Sequence, residues 1–335
     1  MDKHNIKRLV IVLTLALGLG EVKAQQNIQF TQYIFNSLSV NPAYAGYKEE
    51  WFAQMALRSQ WTGIDGAPKT GQASIDGVLG MNKNTGVGLQ VTADKLGAQS
   101  ATSVYANYAY RLRLDAEDTQ RLSFGIGAGI TQYGLDGNEL RTTYPGDPTI
   151  PPGKISNTIP DIRFGVYYYN PRWYLGVSMM DLLSGDQSNN IFRWDANATS
   201  NLKRKRHMYL IGGALFDLSE DMKLRPSVMV MEDFKGPTNV DLNAMFIFGE
   251  RVWLGAGYRM GLKMGKSYAN GQQNLRSSNA ITGVAQFYVT ERLRIGYSYD
   301  HILSRLSSVQ NGTHEVTIGL TFPQSGYRLI SPRFF

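Results

Sequence analysis

Histidines are where a search for reactive groups begins, because a catalytic base or a metal ligand is most often one of them. Beyond the first two dozen residues the chain has only His207, His301 and His314. None stands four residues from another or within a cluster at metal-ligand spacing, so the pattern supports no zinc site. Cysteine is absent, which removes thiol chemistry and any disulfide framework. A Ser–His–Asp triad is defined by geometry rather than spacing. His301 with nearby Ser304 is the pair that a lipase-like hydrolase would use, but no Gly-x-Ser-x-Gly elbow accompanies it. Gly125-Ile126-Gly127-Ala128-Gly129 imitates a phosphate-cradling loop, yet its glycines alternate along one face of a strand and no helix pattern follows. Gly265-Lys266-Ser267 resembles the end of a P-loop, with Gly261 one residue off the required spacing. The expectation is a protein that is not an enzyme and carries no cofactor or metal.

Charge points away from nucleic acid. Lys and Arg number 34 against 27 Asp and Glu, a net charge of +7, and the excess is spread along the chain. Nucleic-acid binding wants a clustered basic face on a recognisable fold. The one dense cluster, Lys203-Arg204-Lys205-Arg206, reads as a solvated loop end or as a contact for anionic lipopolysaccharide phosphates. Asn197-Ala198-Thr199 and Asn311-Gly312-Thr313 match a glycosylation sequon, a short pattern that recurs by chance.

The elements that position these residues are strands. Val316, Ile318, Leu320 and Phe322 alternate with Glu315, Thr317, Gly319 and Thr321. Neighbours in an extended strand point to opposite faces, so one face is apolar and the other polar or small. Leu293, Ile295, Tyr297 and Tyr299 repeat this against Arg294, Gly296, Ser298 and Asp300; Leu254, Ala256, Tyr258 and Met260 repeat it against Trp253, Gly255, Gly257 and Arg259. Arginines on the polar face suit a wet lumen, with lipid on the other side. The pattern predicts an all-β fold, a transmembrane antiparallel β-barrel of about 14 strands at about 49–60, 69–80, 84–93, 99–114, 119–131, 158–169, 172–181, 206–217, 222–232, 238–249, 251–260, 279–290, 291–300 and 313–322. Tight turns at 81–83, 115–118, 170–171, 218–221, 249–250 and 290–291 alternate with longer links at 61–68, 94–98, 132–157, 182–205, 233–237, 261–278 and 301–312. Short turns on the periplasmic rim and longer loops outside are the outer-membrane pattern, and an even strand count puts both termini in the periplasm. Tyr105, Tyr108, Tyr110, Tyr167, Tyr168, Tyr169, Trp173 and Tyr174 are expected to form girdles at the bilayer interface.

The ends read separately. Lys3, Lys7 and Arg8, an apolar run from Leu9 and the Val22-Lys23-Ala24 site make residues 1–24 a signal peptide. Residues 25–48 precede the barrel and are rich in aromatic and amide groups. They are expected to plug the lumen, seal its base or dock on a periplasmic partner. The barrel is placed at 49–322 and a periplasmic tail at 323–335.

Motifs then carry a resemblance. Gln29-Phe30-Thr31-Gln32-Tyr33 is followed by Asn41-Pro42-Ala43-Tyr44-Ala45-Gly46, and Arg58-Ser59-Gln60-Trp61-Thr62-Gly63-Ile64-Asp65-Gly66-Ala67-Pro68-Lys69-Thr70 spans the first hairpin. In that order, behind a signal peptide and ahead of a barrel-like remainder, they resemble the PorP/SprF family of the Bacteroidetes type IX secretion system. Thr31 stands where the family pattern more often has serine. The resemblance implies an outer-membrane protein needed for export of cargo, gliding adhesins included. It implies association with the periplasmic ring lipoprotein assembly of the secretion machinery and with cargo carrying a type B C-terminal sorting domain. The candidate partner-binding residues are Tyr33, Phe35, Asn41, Pro42, Tyr44 and Gly46 before the barrel; Trp61, Asp65, Pro68 and Lys69 on the first hairpin; and Tyr327, Arg328, Arg333 and Phe335 in the tail. The competing reading is an outer-membrane diffusion channel, in which inward Arg111, Arg113, Arg225, Arg251, Arg259 and Arg294 would favour anions.

Overall fold

The computed structural model describes residues 30–140, 150–151, 153–184, 205–234, 237–262, 279–303 and 305–323. The signal peptide, Lys203-Arg204, Ser304, Gly265-Lys266-Ser267, the 197–199 sequon and the tail beyond Pro323 lie outside them. The described strands are β1 (Trp51–Ser59), β2 (Lys69–Leu79), β3 (Thr85–Leu96), β4 (Gln99–Arg113), β5 (Arg121–Asp136), β6 (Lys154–Tyr169), β7 (Trp173–Met180), β8 (His207–Ala214), β9 (Phe216–Asp217), β10 (Met222–Glu232), β11 (Thr238–Phe248), β12 (Val252–Leu262), β13 (Ala280–Tyr288), β14 (Leu293–Ile302) and β15 (Thr313–Phe322). Each pairs antiparallel with its sequence neighbours, and β9 merely continues β8 alongside β10. The wall closes where β1 meets β15, with Arg58 opposite Glu315 and Trp51 opposite Phe322. The result is a closed antiparallel barrel of 14 strands, as the alternation predicts. Closure leaves no edge to be satisfied in lipid.

The outer and inner faces follow the expected parity. Val316, Ile318, Leu320 and Phe322 are exposed while Glu315 and Thr317 are buried. Ile295 and Tyr297 face out while Arg294, Ser298 and Asp300 face in. Leu254 and Tyr258 face out while Trp253 and Arg259 face in. A belt of exposed Leu, Ile, Val, Phe and Met side chains therefore encircles a polar wall.

Connections at 80–84, 114–120, 170–172, 218–221, 249–251 and 289–292 share the rim where β1 starts and β15 ends, here the turn rim. Such turns are held locally. In the 114–120 turn the Asp115 carboxylate accepts from the Thr119 hydroxyl and from the Thr119 and Gln120 amides. Those bonds, the Thr119 hydroxyl first, hold its pKa below the ordinary carboxylate value. At the opposite, loop rim one expectation fails. The link placed at 94–98 is only Gly97-Ala98, because β3 runs to Leu96 and β4 starts at Gln99. Gly97 takes φ +53°, the left-handed region that lets the chain reverse in so few residues. The 132–157 link shrinks likewise, since β5 and β6 pair out to Asp136 and Lys154.

The tyrosines correct a second expectation. Tyr108 and Tyr110 face out, and Tyr168 stacks with exposed Trp173 at 4.5 Å. Tyr105, Tyr167, Tyr169 and Tyr174 instead face the lumen and are buried. Consecutive strand residues cannot share a face, so the 167–169 run had to split between lipid and lumen.

Candidate functional site

The lumen is filled by the chain's own beginning. Residues 30–50 run through it as a strap with three short 3-10 turns, Tyr33–Phe35, Ser37–Ser39 and Pro42–Tyr44. Asn41 precedes a proline and is extended, at φ −149°. Its side chain closes the turn by accepting from the Ala43 amide at 2.9 Å and donates outward to the Val166 carbonyl at 3.0 Å. One side of the strap is dry. Tyr33, Ile34, Phe35, Leu38, Tyr44 and Tyr47 pack with Tyr167, Tyr174, Ile211, Met229, Met245, Ile247 and Trp253 in one buried cluster. Phe35 meets Trp253 edge-on at 5.4 Å, and Tyr47 meets Tyr169 edge-on at 4.7 Å. Four tyrosines read as girdle are thus lumen residues, three of them facing the strap.

Ions fasten the strap at both ends. In the loop half, the Thr31 and Gln32 amides donate to the two carboxylate oxygens of Glu315 at 2.8 and 3.0 Å. The Thr31 hydroxyl donates to Asp300 and accepts from Arg58 at 2.8 Å. Arg58 bridges Asp300 and Glu315, each at 2.8 Å, and Arg259 joins Asp300 to Asp241. At the turn rim, Glu49 is the hub for Lys83 at 2.8 Å, Arg111 at 3.2 Å and Arg121 at 3.9 Å. Between them Asn36 donates to Gln72 at 2.7 Å, the Gly46 amide donates to Asp76 at 2.9 Å, and Ser178 donates to the Val40 carbonyl.

The hydroxyl at 31 works as both donor and acceptor, which serine can reproduce and valine cannot. Thr31→Ser is expected to leave stability within about 0.5 kcal/mol. Thr31→Val removes one hydrogen bond from each of Asp300 and Arg58, which stay paired with one another, and should cost roughly 1–3 kcal/mol, measured by urea unfolding of the detergent-solubilised protein.

Wall and strap also interlock by shape. A Cβ on Gly86 would lie 2.0 Å from the Ala45 carbonyl oxygen, one on Gly125 2.1 Å from the Ala43 nitrogen, and one on Gly165 2.1 Å from the Asn41 side-chain oxygen. Gly46 itself sits at φ +73° with wall backbone pressed against it. The Asn41–Gly46 motif is therefore a turn lying in a glycine-lined track.

Those contacts settle where the candidate residues sit. Tyr33, Phe35, Asn41, Pro42, Tyr44 and Gly46 are buried inside the barrel against its wall. Trp61, Asp65 and Pro68 lie on the 60–68 hairpin at the loop rim and Lys69 opens β2 beside it; Asp65 and Lys69 are exposed, Trp61 is half-buried and Pro68 is buried. That hairpin is tightly tied: Thr62 and Gly312, Thr62 and Asn311, and Gly66 and Gly97 exchange backbone hydrogen bonds of 2.7–2.9 Å. Trp61 is held at φ +47°, strained for a bulky residue, with its amide donating to Thr313. Tyr327, Arg328, Arg333 and Phe335 lie outside the described residues. Sequence reasoning missed Thr31, Glu49, Asp76, Asp300 and Glu315 as working residues. The available signal was inward charge of opposite sign on the first and last strands, Arg58 and Glu315, which closure places face to face.

Among the described residues, the inward arginines of the competing diffusion-channel reading do not line open water. Arg111, Arg225, Arg259 and Arg294 point inward but are buried beneath or beside the strap, while Arg113 and Arg251 reach solvent at the turn rim. His207 pairs with Asp181 at 3.1 Å, His301 is exposed, and among the described residues no group of three or more His, Cys, Asp or Glu is placed to hold a metal ion.

A closed barrel with an apolar outer belt and an internal polypeptide plug is an integral barrel of the outer-membrane type. The chain matches the family described as type IX secretion system membrane protein PorP/SprF over residues 22–320, and it belongs to that family. No curated protein matches it. In solved structures it is similar in fold to the Ralstonia pickettii toluene transporter TbuX, at 10% identity and TM-score 0.49, with 86% of this chain and 92% of that one covered. It is similar also to a Pseudomonas aeruginosa FadL homologue, at 10% identity and TM-score 0.45 over 86% and 92% of the two chains. The Acinetobacter baumannii outer membrane protein Omp33 aligns at 8% identity and TM-score 0.44 over 83% and 100%.

Proposed function

We propose that the protein is a sealed outer-membrane barrel that serves type IX secretion by binding other proteins at its rims. Its partners are cargo with a type B C-terminal sorting domain, gliding adhesins included, and the periplasmic ring lipoprotein assembly. The observation that carries this reading is the filled lumen: with Thr31 to Glu49 bonded along their length to the wall, work falls to the surfaces at either end. The turn rim, where the wall begins and ends, is assigned to the periplasm, and the loop rim to the outside, in keeping with short turns facing inward in such barrels. The end of the wall at Phe322 is assigned to the periplasm with it, whereas the strap starts in the loop half, at Thr31, so a periplasmic N-terminus is not carried over from the even strand count.

The 60–68 hairpin, with Lys69 at the start of β2, is the contact for emerging cargo, since it is rigid, strained at Trp61 and charged at Asp65 and Lys69. Tyr327, Arg328, Arg333 and Phe335 in the tail are the contact for the ring assembly. Reversing both rim charges, Asp65→Lys with Lys69→Glu, should lower cargo in the medium by about tenfold or more, because like-charge contacts in an interface cost several kcal/mol. Deleting 324–335 should abolish recovery of ring components in pull-downs. Both variants should retain the heat-modifiable, folded band of an inserted barrel. Normal secretion from both would remove the proposal, and steady single-channel conductance from the native protein would favour the diffusion-channel reading instead.

A further inference from the structure

We propose that the turn half of the lumen contains a binding site for a small inorganic anion of the chloride class, centred on Arg294 and roofed by the strap. The inference does not depend on the secretion reading.

Charge is the first ground. Arg294 is only 2% exposed and makes no ion pair with any described residue. Its guanidinium lies 5.2 Å from the Phe35 ring and 5.2 Å from the Phe52 ring. Lys48 Nζ lies 3.3 Å from the centre of the Phe52 ring, and the Arg225 guanidinium lies 5.7 Å from that of Phe35. Three basic side chains thus gather around two phenyl rings. Against these three bases stand two carboxylates, Asp76 and Glu50, whose field reaches Lys48, and one Asp76 oxygen already accepts the Gly46 amide. Ring faces attract cations, but less strongly than burial of an ion repels it. A net positive field remains.

Hydrogen bonding is the second, independent ground. Arg294 donates from Nη2 to the Gln54 side-chain oxygen, and the Tyr288 hydroxyl also reaches it. Its Nε is buried without a partner, and so are the amide nitrogen of Gln54 and both the nitrogen and the oxygen of the Gln286 side chain. The Gln54 amide is oriented by the bond its oxygen accepts, which leaves its NH2 as an unmet donor. Register brings these groups together: Arg294 and Gln54 both face Gly319 on β15, and Gln286 faces Gly296, two residues from Arg294 on the same inward side. A site where three unmet donors stand against one unmet acceptor and positive charge is in surplus selects an anion, whereas a metal cation would need several acceptors there. A water satisfies the donors but leaves the field unanswered.

The test uses the full-length protein extracted in detergent and equilibrated in sodium gluconate. Chloride or bromide replaces gluconate at constant ionic strength while thermal unfolding is followed. The unfolding temperature should rise saturably, and Arg294→Gln should raise the half-saturating concentration at least tenfold. Gln54→Leu keeps the arginine and removes one donor, so it should weaken the response several-fold even if Arg294→Gln fails to fold. Crystals grown in bromide should show an anomalous peak within hydrogen-bonding distance of Arg294 Nε. A non-saturating response, an unchanged response in Gln54→Leu, or water alone at Arg294 without an anomalous peak would overturn the proposal.

Discussion

Gly125→Leu is expected to turn a silent barrel into a conducting one. Gly125 lies on the inner face of β5, and the first side-chain carbon there would fall 2.1 Å from the Ala43 nitrogen and 2.4 Å from its Cα. Those are backbone atoms, so no rotamer change relieves the clash. Overpacking of a tight site ordinarily costs about 1–3 kcal/mol, and here the cheaper relief is to lift the 41–46 turn off its track. The wall has its ladder of backbone hydrogen bonds on both sides of Gly125, to β4 and to β6, whereas the turn is held by side-chain bonds such as Asn41 to Val166. The strap should therefore yield before the strand does. Planar-bilayer recordings check this: native protein silent, Gly125→Leu passing current. Gly283→Leu supplies the control, since it faces outward on β13 with nothing within 4 Å of the added carbon. A Gly125→Leu barrel that keeps its heat-modifiable band and stays silent would show the strap to be dispensable for closure.

How far the sequence reveals this arrangement depends on what period two can express. Alternation separates lipid-facing Val316, Ile318 and Leu320 from inward Glu315 and Thr317 because oil and lumen make opposite demands at successive positions. It therefore identifies the barrel, its strand number and its turn rim. It does not say what an inward residue meets. Tyr167 and Tyr169 share parity with inward Gly165 and Asp161, so their burial was readable once the run was split by face; grouping all three tyrosines as interface residues ignored that parity. The strap's partners were beyond reach for a different reason. Thr31 meets Glu315 across 284 residues, and Arg58 meets Asp300 across 242. No local pattern encodes such contacts; they exist only after the last strand returns to the first. The motifs that carried the family resemblance were legible as motifs, but their meaning changed. Asn41 to Gly46 looked like a surface for partners and is a turn fitted to a glycine track. Among the candidate residues that are described, Asp65 and Lys69 are the exposed ones, both at the loop rim.

Glu49 is the position where loss of one side chain should cost most. It stands two residues before the wall begins, it is 1% exposed, and it takes φ +62°, a left-handed conformation held by the contacts around it. Lys83 and Arg111 both aim at its carboxylate, with Arg121 just beyond. Arg121 has a second acid in Asp118 at 2.6 Å, and Arg111 otherwise has the Tyr169 hydroxyl and the Lys83 carbonyl, both neutral. Glu49→Gln preserves shape and hydrogen-bonding reach but leaves cations buried without compensation. Breaking a buried ion pair from one side costs about 3–5 kcal/mol, most of it the penalty of the stranded charge. The urea midpoint of the solubilised barrel should fall accordingly, with the unfolding slope unchanged. The origin of the loss is then separable. If stranded charge dominates, adding Arg111→Met to Glu49→Gln should recover part of the stability, so that the double variant is less damaged than the sum of the two single ones. If the hub acts by tying the strap's exit to the 80–84 and 114–120 turns, removing a second tie should deepen the damage instead. A recovery of about 1 kcal/mol or more would assign Glu49 to charge balance; an additive or larger loss would assign it to anchoring.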